Sequence, residues 1–399
     1  MKNDFENYDL VLVVEYFRAT TAYLSIIKGL ASEFSIGIYQ VEIYDNDAGK
    51  NDSAQVEFIN ECVRLGANKI ISKVVETKVL LIPQRPLNDN VIHDLHERFN
   101  AKTTILLLGF AFAGLKNQDA ILECFNFKKV YAVDKEFLDF LLKKRGEEEK
   151  YENIDVVEVG LPYGKYPVLG EFSADYILAI PTPLSFPYEL DKWAFLNAVK
   201  KIISKIDVDD VIVHKPHNGS DRDQFSSPTF RAILKKLKYF PGSIYLIKFV
   251  IRYFPILFIQ NLSAKLYTAF LYEQVLKRTI SMEQAGGFPY FAMEAYLPGV
   301  NKGVIGGTSN TMWGTLYYKL PFFNCVDIVS QKRNGKNKLY GNKRADKYME
   351  LNLQYFMIPY CNGRMEFDET LWSIPSDGSR SGDLIKELRR EILEVRKQS

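Results

Sequence analysis

The stretch Val211-Ile212-Val213-His214-Lys215-Pro216-His217-Asn218-Gly219-Ser220-Asp221 decides how this chain is read. An apolar, β-branched run stops abruptly in His, Lys, Pro and His, followed by turn formers. That is the pattern of a buried parallel strand delivering polar side chains to its C-terminal end. In open α/β sheets that end is where ligands sit. Two of the chain's 4 histidines fall in this stretch. A second polar punctuation, Gly306-Gly307-Thr308-Ser309-Asn310-Thr311, follows further along. Whether the two stretches meet is the central question for function.

Working outward, strands and helices alternate on both sides. The first half reads as strands at Leu10–Val14, Ile36–Ile43, Lys69–Val74, Val79–Pro83, Thr103–Leu108, Lys129–Val133 and Ile154–Val159. Between them lie helical patterns at Thr20–Ser32, Ser53–Leu65 (Ser53 as N-cap), Asn90–Phe99, Asn117–Phe125 and Lys135–Arg145. The second half reads as strands at Tyr176–Ile180, Val211–His214, Gly303–Gly306 and Phe322–Asp327. Helical patterns there cover Glu189–Lys205, Thr229–Lys238, Leu262–Lys277, Thr311–Tyr318 and about 346–356. This alternation builds βαβ units and parallel sheets. The fold expected is α/β, with two Rossmann-like domains and a cleft between them. The boundaries are 1–160 for the acceptor side, 161–175 for a Gly- and Pro-rich connection, and 176–380 for the nucleotide side. A charged helix over 381–399 caps a domain.

The 399 residues are too many for one typical core. A net charge of +2 excludes a generally basic nucleic-acid binder. Cys62, Cys124, Cys325 and Cys361 are scattered without a CxxC pair and read as reduced core residues. The polar, acidic start is no signal peptide, and no apolar run is long enough to cross a membrane. With the scattered cysteines, the expected location is the cytoplasm. The segment 235–279 breaks the α/β rhythm. It is rich in Tyr, Phe, Ile and Leu, and it carries Lys and Arg with almost no acid before Glu273. Such a stretch lies in a membrane interface with its cations toward headgroups, or forms a core helix pair with solvated lysines.

No P-loop, GxGxxG, HExxH or GxSxG is present. His93 and His96 share a helix face but have no accompanying acidic or Cys ligand pattern, which marks surface histidines. His217 stands apart. Pro216 stiffens the turn, and Lys215 with His217 brings a point charge and a group that titrates near neutral pH. A protonated His217 can stabilise or protonate a leaving phosphate. Gly306 and Gly307 permit close backbone approach. Thr308, Ser309 and Asn310 at a helix start add anion-binding donors. The plainer readings are a surface turn and a helix N-cap.

Taken together, three pieces resemble a family. They are Ile177-Leu178-Ala179-Ile180-Pro181-Thr182-Pro183-Leu184-Ser185, then Val213-His214-Lys215-Pro216-His217, then Met293-Glu294 followed by Gly306-Gly307-Thr308-Ser309. The Val213–His217 piece is similar to the "HP" motif of bacterial sialyltransferases and polysialyltransferases of capsule and lipooligosaccharide synthesis. The Met293-Glu294 and Gly306–Ser309 pieces are similar to the Glu and Ser-Ser/Thr elements of the same enzymes. Related transferases for 3-deoxy-manno-octulosonic acid (Kdo) share the logic. The resemblance covers about 175–328. It implies a GT-B fold and a CMP-activated nonulosonic acid as donor, with a glycan or lipid-linked acceptor. It implies that no metal or other cofactor is required, although Asp45 and Asp47 by their spacing could also form an Asp-x-Asp metal site. His217 would contact the phosphate and act as acid, Thr308 and Ser309 would bind the phosphate, and Glu294 would sit near the nucleotide. Asn218 stands where the motif has its second Pro, and Thr308 where it has its first Ser. No Asp/Glu-Asp/Glu-Gly motif supplies the base. Chemistry leaves Asp47 and Asp45 on the acceptor side, then Asp191 and Glu189, as carboxylates for that role. The expected setting is the inner face of a plasma membrane, reached through 235–279. Two alternatives stay open. Gly160-Leu161-Pro162 before a strand also resembles CDP-alditol phosphotransferases of teichoic-acid type. A non-catalytic scaffold on the same fold is the other.

Overall fold

The computed structural model describes residues 5–14, 22–41, 52–72, 74–83, 89–108, 125, 127, 129–146, 148–161, 172–181, 186, 189–216, 225, 257–287, 293–307, 314–315, 317–326 and 382–398. The chain divides into two compact units: Met1–Gly170 with Gly378–Ser399, and Glu171–Asp377. Each unit is built on a wholly parallel sheet.

The first unit carries β1 (Phe5–Val14), β2 (Ile36–Gln40), β3 (Asn68–Lys69), β4 (Val74–Pro83), β5 (Phe99–Leu108), β6 (Lys129–Ala132) and β7 (Asp155–Glu158), in the order β3-β2-β1-β4-β5-β6-β7. Helices α1 (Ala22–Leu30), α2 (Asp52–Arg64), α3 (Asp89–Arg98) and α4 (Lys135–Arg145) alternate with the strands. The apolar runs Leu10–Val14, Val79–Ile82 and Ile105–Leu108 form the core because strands covered on both faces need continuous apolar sequence. Helix α4 shows its caps plainly. The Asp134 carboxylate accepts from Phe137 N–H, and Gly146 ends the helix in the left-handed region at φ 65°.

Several boundaries differ from the sequence reading. The two strands expected at 69–74 and 79–83 are instead the two-residue β3 and one ten-residue β4. Glu76-Thr77-Lys78 read as a polar break, yet Thr77 is buried with its hydroxyl donating to Val79 O at 2.9 Å, and Lys78 reaches Asp9 at 2.5 Å. β1 and β5 likewise begin earlier than their apolar runs, at Phe5 and Phe99, because ladder pairing continues through polar residues. Ser53 falls inside the first turn of α2, which starts at Asp52. The helices expected at 117–125, 229–238 and 346–356 lie outside the described residues.

The second unit carries β8 (Ala174–Ala179), β9 (Ile212–Lys215), β10 (Ile280–Ser281), β11 (Val300–Gly306) and β12 (Phe322–Asn324), ordered β10-β9-β8-β11-β12. Ala174 and Asp175, placed in the connecting segment by sequence, already belong to β8. Helix α5 (Glu189–Ile203) packs against α6 (Leu257–Leu276). Trp193 Nε1 donates to Ala264 O at 3.1 Å, and its ring meets Tyr267 edge-on at 5.0 Å. Leu266, Ala269, Leu271, Tyr272 and Val275 are buried on α6. In the described part of 235–279, these apolar side chains are spent on the core. Among the described residues, no helix is long and apolar enough to cross a membrane.

Both sheets share one logic. Numbered within each unit, the strands run 3-2-1-4-5, with two further strands in the first unit. This order reverses direction between the first and fourth strands, and the crevice beyond their C-terminal ends is where open α/β sheets take ligands. The last helix, α7 (Leu384–Gln398), returns to the first unit. Leu384, Ile385, Leu388, Ile392 and Val395 form its buried stripe at helical spacing. Its polar rim is tied down by Arg396 to Asp9 at 2.7 Å, by Arg389 to Glu33 at 2.7 Å, and by Glu391 to Lys129. Helix α7 is therefore part of the first unit's structure as well as a charged surface.

Candidate functional site: the C-terminal edge of the second sheet

The switch point of the second unit lies between β8 and β11. Ladder register puts Lys215 opposite Ala179, Ala179 opposite Gly306, and Gly306 opposite Asn324. These four residues form one row at the C-terminal edge. Lys215 and Gly306 are two strand spacings apart, roughly 10 Å. The two stretches singled out in the sequence therefore emerge from the same edge, on either side of β8. Pairing makes them neighbours despite their separation along the chain.

Alternation along β9 sends successive side chains to opposite faces. His214 meets α6, where the Tyr272 hydroxyl and His214 Nε2 are 3.1 Å apart. Tyr272 in turn packs on Phe225 at 4.9 Å. Lys215 faces the other way. It is only 8% exposed, donates from Nζ to Pro216 O at 3.1 Å, and sits 6.0 Å from the Tyr296 ring. Tyr296 belongs to the crossover leading into β11, which also carries Glu294. Burial pushes the Glu294 carboxyl above its ordinary range. A hydrogen bond to its own backbone and the charge of Lys215 pull the other way. Lys215 is thus the last residue of the strand, not a residue of the turn, and its ammonium lies in a buried polar spot shared with Glu294.

The glycines are needed for close packing. A Cβ on Gly306 would fall 2.8 Å from Ala179 O. One on Gly307 would fall 2.6 Å from Val326 Cγ2 and 2.7 Å from Pro181 Cγ. Their own sheet neighbours leave no room for a side chain, which is a reason independent of any ligand. Gly314, in the helical turn after the Gly-Gly-Thr-Ser stretch, would place a Cβ 3.1 Å from Glu294 Cγ. Gly307 follows Gly306 at the edge that Lys215 shares, and Glu294 interacts with Lys215 there. No protein-family model matches the chain, and no curated protein does either.

Of the carboxylates considered as base, Glu189 and Asp191 sit in the first turn of α5, where negative charge complements the helix N-terminus. Both Glu189 oxygens are engaged. Oε1 accepts from the Thr268 hydroxyl at 2.6 Å, and Oε2 pairs with Lys192 at 3.1 Å. This carboxylate joins α5 to α6. His217, Thr308, Ser309 and Asn310 lie outside the described residues, as do Asp45 and Asp47. His93 is exposed beside Glu97 at 3.4 Å, and His96 lies 5.9 Å from the Phe125 ring.

One member of the edge was missed by sequence reasoning. Asn324 is buried and ends β12 in its own turn: its Nδ2 donates to Val326 O at 3.3 Å, and its Oδ1 accepts from Val326 N–H at 3.1 Å. The signal was there in Phe322-Phe323-Asn324, an apolar strand ending in a turn former.

Proposed function

We propose that this chain is a GT-B glycosyltransferase that moves a nonulosonic acid from a CMP-activated donor to a glycan or lipid-linked acceptor at the inner face of a membrane. The observation that carries the reading is the row Lys215–Ala179–Gly306 at the switch point of the second sheet. It sets Lys215 and Gly306, from which the HP-like and Gly-Gly-Thr-Ser stretches continue, on one edge of the kind where open α/β sheets take ligands, with Glu294 near Lys215. In this reading His217, two residues beyond Lys215, protonates or stabilises the departing CMP phosphate. Thr308, Ser309 and Asn310 follow Gly307 and supply donors to that phosphate, and Glu294 lies beside the nucleotide. Asp47 and Asp45, following β2 of the first unit, are the carboxylates put forward to deprotonate the acceptor hydroxyl. Glu189 recedes because its oxygens already serve the α5–α6 contact. No metal is invoked.

The test is donor turnover. The protein is incubated with CMP-linked sialic acid, CMP-Kdo and, separately, CDP-glycerol, and nucleotide release is followed by chromatography. CMP release that His217→Ala abolishes, with circular dichroism unchanged, supports the proposal. Turnover of CDP-glycerol alone would replace it with the alditol-phosphate reading. Wild-type CMP release from His217→Ala would remove His217 from the mechanism.

A further inference from the structure

The first unit has a groove of its own beside β5. β4 and β5 pair over the whole of Val75–Pro83 with Phe99–Leu107, but β6 joins β5 only from Ile105 onward. Among the described residues, 99–104 therefore have no strand on their far side. Backbone groups of a strand point alternately to its two neighbours, so half the N–H and C=O groups of this stretch lack a ladder partner there. A cavity of about 780 Å³ opens along that edge. Phe99 to Thr104 line it, with His96, Glu97 and Phe125 from the α3 side and Glu391, Glu394 and Val395 from α7.

We infer that this slot takes an extended basic peptide from a partner protein, which adds itself as a strand along the edge of β5 that has no strand beside it among the described residues. An unpaired ladder in a groove is the site that strand addition uses, with backbone bonds for affinity and alternate side chains for selection. Six residues of edge, at about 3.3 Å each, accept a segment of about the same length. Charge selects the occupant. Glu97, Glu391 and Glu394 line the slot against Lys102 and Lys129, and Lys129 is already paired with Glu391. Glu394 keeps its side chain 48% exposed, and its ion pairs with Lys129 at 3.9 Å and Arg390 at 3.8 Å are long enough for a closer cation to compete. An incoming lysine or arginine meets Glu394, while apolar residues on the other face of the peptide meet Phe125.

The probe is a capped, fluorescent hexapeptide of alternating valine and lysine, titrated into the full chain at low salt. Saturable binding is expected, with slowed amide exchange in 99–104. N-methylation along one edge of the peptide should weaken binding at least about tenfold, while methylation along the other edge leaves it unchanged. Glu394→Lys should weaken the lysine peptide and favour a valine–glutamate one. Equal binding of both edge-methylated forms overturns the inference, as does equal binding of the glutamate peptide to the unaltered chain. Two other results overturn it in favour of another occupant. One is protection of 99–104 that rises with protein concentration alone, which points to a second copy. The other is protection by oligosaccharide but not by peptide.

Discussion

Removing the charge of Asp9 should loosen the C-terminal helix from the first unit. Asp9 is 5% exposed on β1 and receives Lys78 at 2.5 Å, Arg396 at 2.7 Å and the Ser35 backbone N–H at 2.9 Å. Burial alone would raise its carboxyl, but the hydrogen bonds from Arg396, Lys78 and Ser35 outweigh it and hold the group at about 2, against an ordinary 3.8. That difference corresponds to about 2.4 kcal/mol of native-state stabilisation. Arg396 is 39% exposed and Lys78 27%, so solvent screening trims the figure to about 1.5–2 kcal/mol. Because the folded value is depressed, the stabilisation is fully present above about pH 4 and is lost as pH falls through about 2. About half of it remains at pH 3. The assay is pH-corrected hydrogen exchange of the 384–398 peptide in Asp9→Asn and the unaltered chain, since a two-unit chain has no single melting transition to interpret. Only Arg396 of the three partners lies on α7, so about half of the stabilisation bears on its opening: exchange in α7 should speed about fivefold near pH 7, and the gap should narrow to about twofold near pH 3. In a double-mutant cycle, Arg396→Ala should cost less in the Asp9→Asn background than alone. Unchanged exchange in α7 at neutral pH, or a gap independent of pH, would refute the clamp.

Three further outcomes follow from the second unit. Gly307→Ala forces a Cβ against Val326 and Pro181 and should destabilise that unit by about 1–3 kcal/mol, read from amide exchange of 300–306, and under the proposed function CMP binding should weaken as the edge shifts. Glu189→Gln keeps the side chain's shape but replaces the charged acceptor of the Thr268 hydroxyl. It should cost about 1 kcal/mol and leave donor turnover within about twofold, whereas loss of turnover at retained stability would return Glu189 to the list of bases. Replacing the lysines and arginine of 235–252 with glutamine should reduce pelleting with anionic liposomes severalfold, and undiminished pelleting would remove the membrane proposal.

The alternation of apolar strands with helical patterns was legible because its periods are local properties. Leu10–Val14, Ile105–Leu108 and Ile212–Val213 declare buried strands by composition alone, although the apolar run that includes Val211 starts one residue before the strand, with Val211 exposed. Asp134 and Gly146 likewise mark the ends of α4 by the chemistry of capping. Polar strand segments were not legible. Asn7, Glu76, Thr77 and Asn100 lack an apolar signal, and only pairing with neighbouring chain makes them strand.

The candidate site divides in the same way. Sequence by itself determined that an apolar strand runs into Lys215-Pro216-His217, that two glycines precede Thr308, and that both stretches carry residue types suited to an anion, because residue type and order carry that information; it ended the strand at His214, one residue short of Lys215. Tertiary structure alone decided that Lys215 and Gly306 share a row on either side of β8 and that His214 and Lys215 serve opposite faces. It also decided that Gly307 is a glycine because Pro181 and Val326 crowd it, that Glu189 binds α5 to α6, and that the last helix belongs with the first sheet. Each of these depends on which distant segments become neighbours, and that is set by strand order and register. No local pattern in the chain encodes them.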